Sequence, residues 1–177
     1  MHINDLPTPA VVIDIAALRK NIATMADVHP GKRLRPHVKA HKCSGLAAEQ
    51  EGAGHNSFTC ATPREVLGMI HAGVGNDFLL ANEVLDPRRL EALASAQDQA
   101  LITLAIDSEE TLDAAERAGI QNIMIDVNVG LPRCGCDPSI AGRLADSARV
   151  RGMTVRGVMG YEGHLMMVND REEKKKN

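Results

Sequence analysis

The sequence has no tryptophan, a single tyrosine (Tyr161) and two phenylalanines, so aromatics make up only 2% of its 177 residues. A core must then be assembled from Ala, Val, Ile, Leu and Met, which suits helices packed on β-branched strands. No apolar stretch approaches the roughly 20 residues that span a bilayer. The opening residues MHINDLPTPA lack both the basic and the apolar region of a secretion signal. A cytoplasmic protein with no membrane partner is the expectation. The net charge of −3 supplies no basic field, so no nucleic-acid partner is expected either. Cysteines number four. Cys134 and Cys136 are one residue apart, which is not the Cys-x-x-Cys spacing of zinc or redox sites. A reducing compartment leaves all of them as small buried or half-buried thiols.

What is present is an ordinary globular balance, 44% apolar and 24% charged, in a chain long enough for one domain with a real core. Short apolar runs at 34–39, 57–61, 77–81, 101–106, 123–128 and 155–160 read as strands. Helical spacing lies between them: Leu18, Ile22 and Met25 in 15–28, Val66, Leu67 and Ile70 in 63–72, Leu112 and Ala115 in 109–118, Leu144 and Ala148 in 140–149. Thr62-Pro63-Arg64-Glu65 carries a capping Thr, Pro at the first helical position and Glu three residues after the cap. Asp107-Ser108-Glu109-Glu110 follows the same logic with Asp107 as cap. Gly73 and Gly119 fall just past helix ends, where a left-handed residue is wanted. The segment Asp170-Arg171-Glu172-Glu173-Lys174-Lys175-Lys176-Asn177 puts acids before bases, as a helix start does, and reads equally as a solvated tail.

The repeating unit is strand, cap, helix, Gly, strand, which implies right-handed crossovers and a parallel sheet. Two closures are open: a doubly wound sheet or a (β/α)8 barrel. The dinucleotide-binding version of the first needs G-x-G-x-x-G after its first strand, where this chain has RPHVKAHK. A barrel usually takes about 250 residues, so about six βα units make an unfinished one.

The segment Arg35-Pro36-His37-Val38-Lys39-Ala40-His41-Lys42 is dense in titratable groups. Barrels place their chemistry at strand C-terminal ends. A lysine there, partly dry and beside other cations, would be a useful amine for a Schiff base. A group of Lys, Arg and His is also what a solvated face looks like, and composition alone does not separate the two.

Leu6-Pro7-Thr8-Pro9-Ala10-Val11-Val12-Ile13-Asp14, followed by the lysine segment, resembles the opening of the D-threonine aldolases and D-serine dehydratases. These belong to the alanine racemase class of pyridoxal-phosphate enzymes. Cys60-Ala61-Thr62 with Glu65, Asn128-Val129-Gly130-Leu131-Pro132-Arg133-Cys134-Gly135 and Gly157-Val158-Met159-Gly160-Tyr161-Glu162-Gly163-His164 agree in order and spacing with later parts of that family.

The resemblance implies a (β/α)8 TIM-type barrel of the alanine racemase N-terminal class, with 1–177 as a partial cofactor-binding barrel domain lacking the family's C-terminal β-domain. It implies pyridoxal 5'-phosphate as cofactor, held by Lys39, with Lys42 the poorer match to the family's V-K-A pattern. Arg133 matches the arginine near the cofactor's phenolic oxygen, and otherwise is a surface arginine capping the loop. Tyr161 takes the place of the aromatic ring against the pyridine, and otherwise is the one large core aromatic. His164 is an acid/base or substrate contact, or an ordinary loop histidine. His37 and His41 flank the lysine, and one of them is expected to tune it. Asn128 stands where the family has Asp, so that contact is missing or moved to Asp126.

The intact protein implied is a homodimeric lyase acting on small β-hydroxy-D-amino acids by retro-aldol cleavage or elimination. Its divalent metal (Zn or Mn) would be bound outside this chain, and the isolated segment is expected to be inactive. A non-catalytic cofactor-carrying barrel and an amino-acid racemase are the alternatives.

Overall fold

The computed structural model describes residues 2–175. Five parallel strands form one sheet in chain order: β1 (Ser57–Cys60), β2 (Asp77–Leu80), β3 (Leu101–Ile106), β4 (Asn122–Asp126) and β5 (Thr154–Met159). Two helices, α1 (Ile15–Val28) and α2 (Ser44–Gly52), precede the sheet. The crossovers are α3 (Pro63–His71), α4 (Pro87–Ala94), α5 (Glu109–Arg117) and α6 (Pro138–Val150), and a short α7 (Arg171–Lys174) follows β5. A doubly wound sheet reverses its strand order at a switch point, whereas a barrel winds in one direction. The unbroken β1-to-β5 order is the barrel's, and β1 and β5 are its open edges.

Side chains alternate between the two faces of each strand. On β3, Ile102, Leu104 and Ile106 pack into the core with Leu90, Leu93 and Leu112 of the covering helices. Thr103, one residue out of phase, faces the other way and accepts a hydrogen bond from Arg156 at 2.7 Å. Arg156 also grips both oxygens of Asp77, at 2.7 and 2.9 Å, and Arg35 reaches the same two oxygens at 3.1 and 2.9 Å. Arg156 lies on β5 and Asp77 on β2. Three strand spacings of about 4.8 Å each would separate these strands in a flat sheet, near the full reach of the two side chains. Bidentate contact therefore requires the sheet to curl, with this network on its concave side. A bulge assists: Ile123 and Ile125 pair with Val155 and Val158, so β5 carries an extra residue beside Arg156, and Gly157 takes a φ of +145° there.

The helix punctuation follows the sequence in most places. Thr62 caps α3 by accepting the Glu65 N–H at 3.2 Å, with Pro63 at the first position. Gly73 and Gly119 adopt φ of +66° and +80°. Asp170 caps the final helix, while Lys176 and Asn177 lie outside the described residues.

Three expectations are corrected. Segment 34–39 is not a strand: only His37 bridges to Thr59, and Val38–Ala40 is a 3-10 turn. Pro36 has no N–H to give a ladder, and the His37 Nδ1 draws the Lys39 N–H back at 3.3 Å, which starts the turn. The cap of α5 is Ser108, in a reciprocal box with Thr111, because Asp107 is directed to the Thr111 hydroxyl and the Gly135 N–H. Cys43 is exposed, unlike buried Cys60 and Cys136 and half-buried Cys134. Helices α2 and α4 also form, although their sequences show no clear helical pattern. The first has only Ala47 buried and the second only Leu90 and Leu93, too little for a visible stripe.

The two arginines hold the Asp77 carboxyl at about 2 against an ordinary 3.8, overcoming burial, which acts the other way. The folded value is depressed, so the contribution is present above 3.8 and is lost as pH falls through about 2. Asp77→Asn is expected to cost on the order of 2 kcal/mol at neutral pH. In urea melts the gap between variant and parent should close between pH 4 and pH 2; a gap unchanged by acid would mean the network is not what holds the curl.

Candidate active site

The sequence-predicted residues gather at the C-terminal end of the sheet. Lys39 sits in the 3-10 turn beside the end of β1, Arg133 in the loop after β4, and Tyr161 two residues beyond β5. The curl brings them together. The Lys39 Nζ lies 5.0 Å from the Tyr161 ring centroid, and the Arg133 Cζ lies 5.4 Å from the same point. Two cations against one ring is a favourable placement, since the face of the π system is negative. Tyr161 is 40% exposed and Lys39 is exposed, so the group faces solvent and is not core packing.

His37 stands behind Lys39. Its Nδ1 accepts the Lys39 backbone N–H, and its ring is half-buried. Burial first, and then the Lys39 charge, lower its pKa, so the imidazole is neutral at pH 7. His41 is lowered in the same direction by burial, and its Nδ1 accepts the Cys43 N–H at 3.0 Å. His164 is in the 3-10 turn Gly163–Leu165 and rests on Gly130. A Cβ at residue 130 would lie 2.8 Å from the imidazole, and φ there is +116°, so the close approach depends on glycine. The His164 Nδ1 is buried with no protein partner. Among the described residues no hydrogen bond joins it to Lys39, Arg133 or Tyr161, so His164 is near the loop of Arg133 without belonging to the Lys39–Tyr161 group.

Asn128 does not act as a charge: its Oδ1 accepts the Gly130 N–H at 2.8 Å and shapes the loop. The buried acid is Asp126, at the end of β4, and its Oδ2 accepts from the Cys134 thiol at 3.4 Å. With Glu83, these residues bring two carboxylates and a thiol within 4.8 Å of one another, a set that could hold a cation. Burial pushes the Cys134 thiol up to about 11, so it is not a thiolate at neutral pH. Burial also raises Glu83, whose Oε1 is buried without a partner. Sequence reading missed Glu83 and Cys134 because residues from two loops carry no common spacing. The one available signal was that Glu83 follows a strand end.

The amine, the cation and the flat ring fit pyridoxal phosphate by the chemistry of the donor set: a nucleophilic nitrogen, a partner for a phenolate and a wall for a pyridine. Comparison with known proteins agrees. A family model described as the alanine racemase N-terminal domain matches residues 13–176. The chain belongs to that family.

A D-threonine aldolase from Arthrobacter sp is 33% identical to the domain over 94% of this chain and 46% of its own length. A D-threo-3-hydroxyaspartate dehydratase from Delftia sp. is 30% identical over 89% of this chain and 44% of its own. The crystal structure of D-threonine aldolase from Filomicrobium marinum superimposes with a TM-score of 0.91 at 32% identity, over 98% of this chain and 49% of that one. The racemase-type domain thus spans about half the length of the relatives it matches. Among the described residues no helix is long and apolar enough to cross a membrane.

The Gly130–His164 contact gives a direct check. Gly130→Ala is expected to destabilise the domain by on the order of 2 kcal/mol, from backbone strain and displacement of the ring. Gly142→Ala, on the exposed face of α6 with nothing within 4 Å of the new methyl, should be neutral or stabilising. Equal effects in chemical denaturation would show that the loop is free to move away.

Proposed function

We propose that the protein carrying this domain is a pyridoxal-phosphate lyase acting on β-hydroxy-D-amino acids. The observation that carries the reading is the convergence of the Lys39 ammonium and the Arg133 guanidinium on the Tyr161 ring. The names of two relatives, the D-threonine aldolase and the D-threo-3-hydroxyaspartate dehydratase, support the substrate class.

Each residue has a distinct task. Lys39 offers an exposed amine on a turn in which its own backbone N–H is tied to His37. His37, neutral and half-buried, fixes that turn without adding charge to it. Arg133 holds a fixed positive charge that would face the cofactor's phenolic oxygen. Tyr161 is the wall against which a flat ring stacks. His164, seated on Gly130 beside the Arg133 loop and outside the Lys39–Tyr161 group, would serve as a substrate contact. When bound, pyridoxal phosphate supplies the electron withdrawal that weakens the bonds at the substrate's Cα. Cleavage of Cα–Cβ would give glycine and an aldehyde; loss of the β-hydroxyl would give a keto acid and ammonia. A divalent metal held by ligands outside this chain, a homodimeric state and a cytoplasmic setting complete the proposal.

The protein is expected to cleave D-threonine or deaminate D-serine, to ignore the L-forms, and to lose activity to a chelator. Lys39→Ala should abolish turnover, and Arg133→Leu should reduce kcat by roughly a hundredfold, the scale of losing one positioned electrostatic contact. Coupled assays for aldehyde and for keto acid read both reactions. Activity confined to L-substrates would exclude the reading, and racemisation of alanine without lyase products would favour the racemase.

A further inference from the structure

Two lysines stand on the same short turn, Lys39 within it and Lys42 just beyond, and both are exposed. An aldehyde arriving at this end of the sheet meets two primary amines three residues apart. The structure treats them differently. The Lys39 Nζ is turned over the Tyr161 ring, and among the described residues no carboxylate forms an ion pair with it. The Lys42 Nζ is bound to the carboxylate of Glu65.

The Glu65 carboxylate is held in place from several sides. Its side chain is only 5% exposed although that of Lys42 is 61% exposed. Its second oxygen accepts the Ala61 N–H at 2.8 Å, and its own N–H is given to Thr62 Oγ1. It lies in the first turn of α3, where the helix dipole favours a negative charge. Burial works to raise its pKa, yet Lys42, Ala61 and Thr62 together bring it below the ordinary value, so it is ionised at neutral pH. A buried carboxylate with one cationic partner does not release that partner readily. The backbone agrees: Lys42 has φ of +48° and is the one non-glycine residue with positive φ among those described. Its N–H closes the turn on the Val38 carbonyl at 2.8 Å. The chain therefore turns sharply after Lys39 and delivers the second ammonium to Glu65 on α3.

We infer that Glu65 is a positioning residue that sorts the two lysines, engaging the Lys42 ammonium so that Lys39 alone presents a free amine to a carbonyl ligand. The inference rests on the reading of Lys39 as the cofactor lysine, and it extends that reading to a residue that touches neither cofactor nor substrate. Without the sorting, a second imine at Lys42 would hold the same ligand in the wrong place. Condensation at either lysine expels one water; borohydride then adds hydride to the imine carbon while the nitrogen takes a proton from solvent, leaving a permanent mark at the amine that reacted.

Two measurements on the 177-residue chain test this. The first is competitive acetylation with trace acetic anhydride, followed by peptide mapping, which needs no cofactor. Lys39 should react roughly fivefold faster than Lys42, because the Lys42 nitrogen is occupied by the Glu65 carboxylate whereas the Lys39 nitrogen lies over the Tyr161 ring. In Glu65→Gln, which keeps the size and the Ala61 hydrogen bond but removes the charge, the ratio should fall towards one. Equal reactivity in the unmodified chain overturns the inference, and that result stands whether or not the variant folds. The second is incubation with pyridoxal phosphate and borohydride. Label should be confined to Lys39 in the parent and shared with Lys42 in Glu65→Gln. Label confined to Lys39 in a folded Glu65→Gln overturns the sorting. A parent that keeps the acetylation contrast but takes no label at Lys39 would instead bring down the cofactor assignment on which the sorting depends.

Discussion

The Asp77 carboxylate, clasped by Arg35 and Arg156, is the constraint on which the shape of the molecule depends. Its partners come from the segment before the first strand and from the last strand, so one acid joins the two open edges of the sheet across its concave side. Charges in such a place are costly unless fully paired, and here each carboxylate oxygen has two guanidinium contacts. Hydrophobic burial on the outer face would hold helices to a flatter sheet almost as well. The ionic clasp is specific to a curled one. Asp77 opens β2, so the clasp lies towards the N-terminal ends of the strands, leaving the opposite end for chemistry.

At that opposite end, the same curvature puts residues from the turn before β1 next to residues that follow β4 and β5. The electrostatic arrangement has two layers. Cations from Lys39 and Arg133 face solvent around an aromatic ring, and acids from Asp126 and Glu83 lie below with a protonated thiol. Both signs thus meet at one end of the sheet, separated in depth. Membership of the alanine racemase N-terminal family gives the fold an independent footing, while the chemistry is argued from this placement.

Much of this was legible in the sequence for definable reasons. Helix starts were readable because capping is local: Thr62 with Pro63 needs only its neighbours to form. Lys39, Arg133 and Tyr161 were legible because the resemblance lies in contiguous motifs. The failures are equally physical. Segment 34–39 has the apolar content of a strand, but Pro36 and the His37 ring redirect its hydrogen bonds, and only one bridge survives. Asp107 lost the cap to Ser108 because its carboxylate is drawn to Gly135 across a long-range contact that no window of sequence contains. Glu83 and Cys134 meet only through the tertiary fold.

The scarcity of aromatic residues has one more consequence. With no tryptophan and a single tyrosine, the near-ultraviolet emission of the chain comes from one phenol, Tyr161, and that ring lies between the two cations of the site. The domain thus carries an intrinsic optical reporter at the place where a ligand would stack. Occupancy, displacement of the Lys39 ammonium or loosening of the Arg133 loop would each alter the emission of this ring without a label.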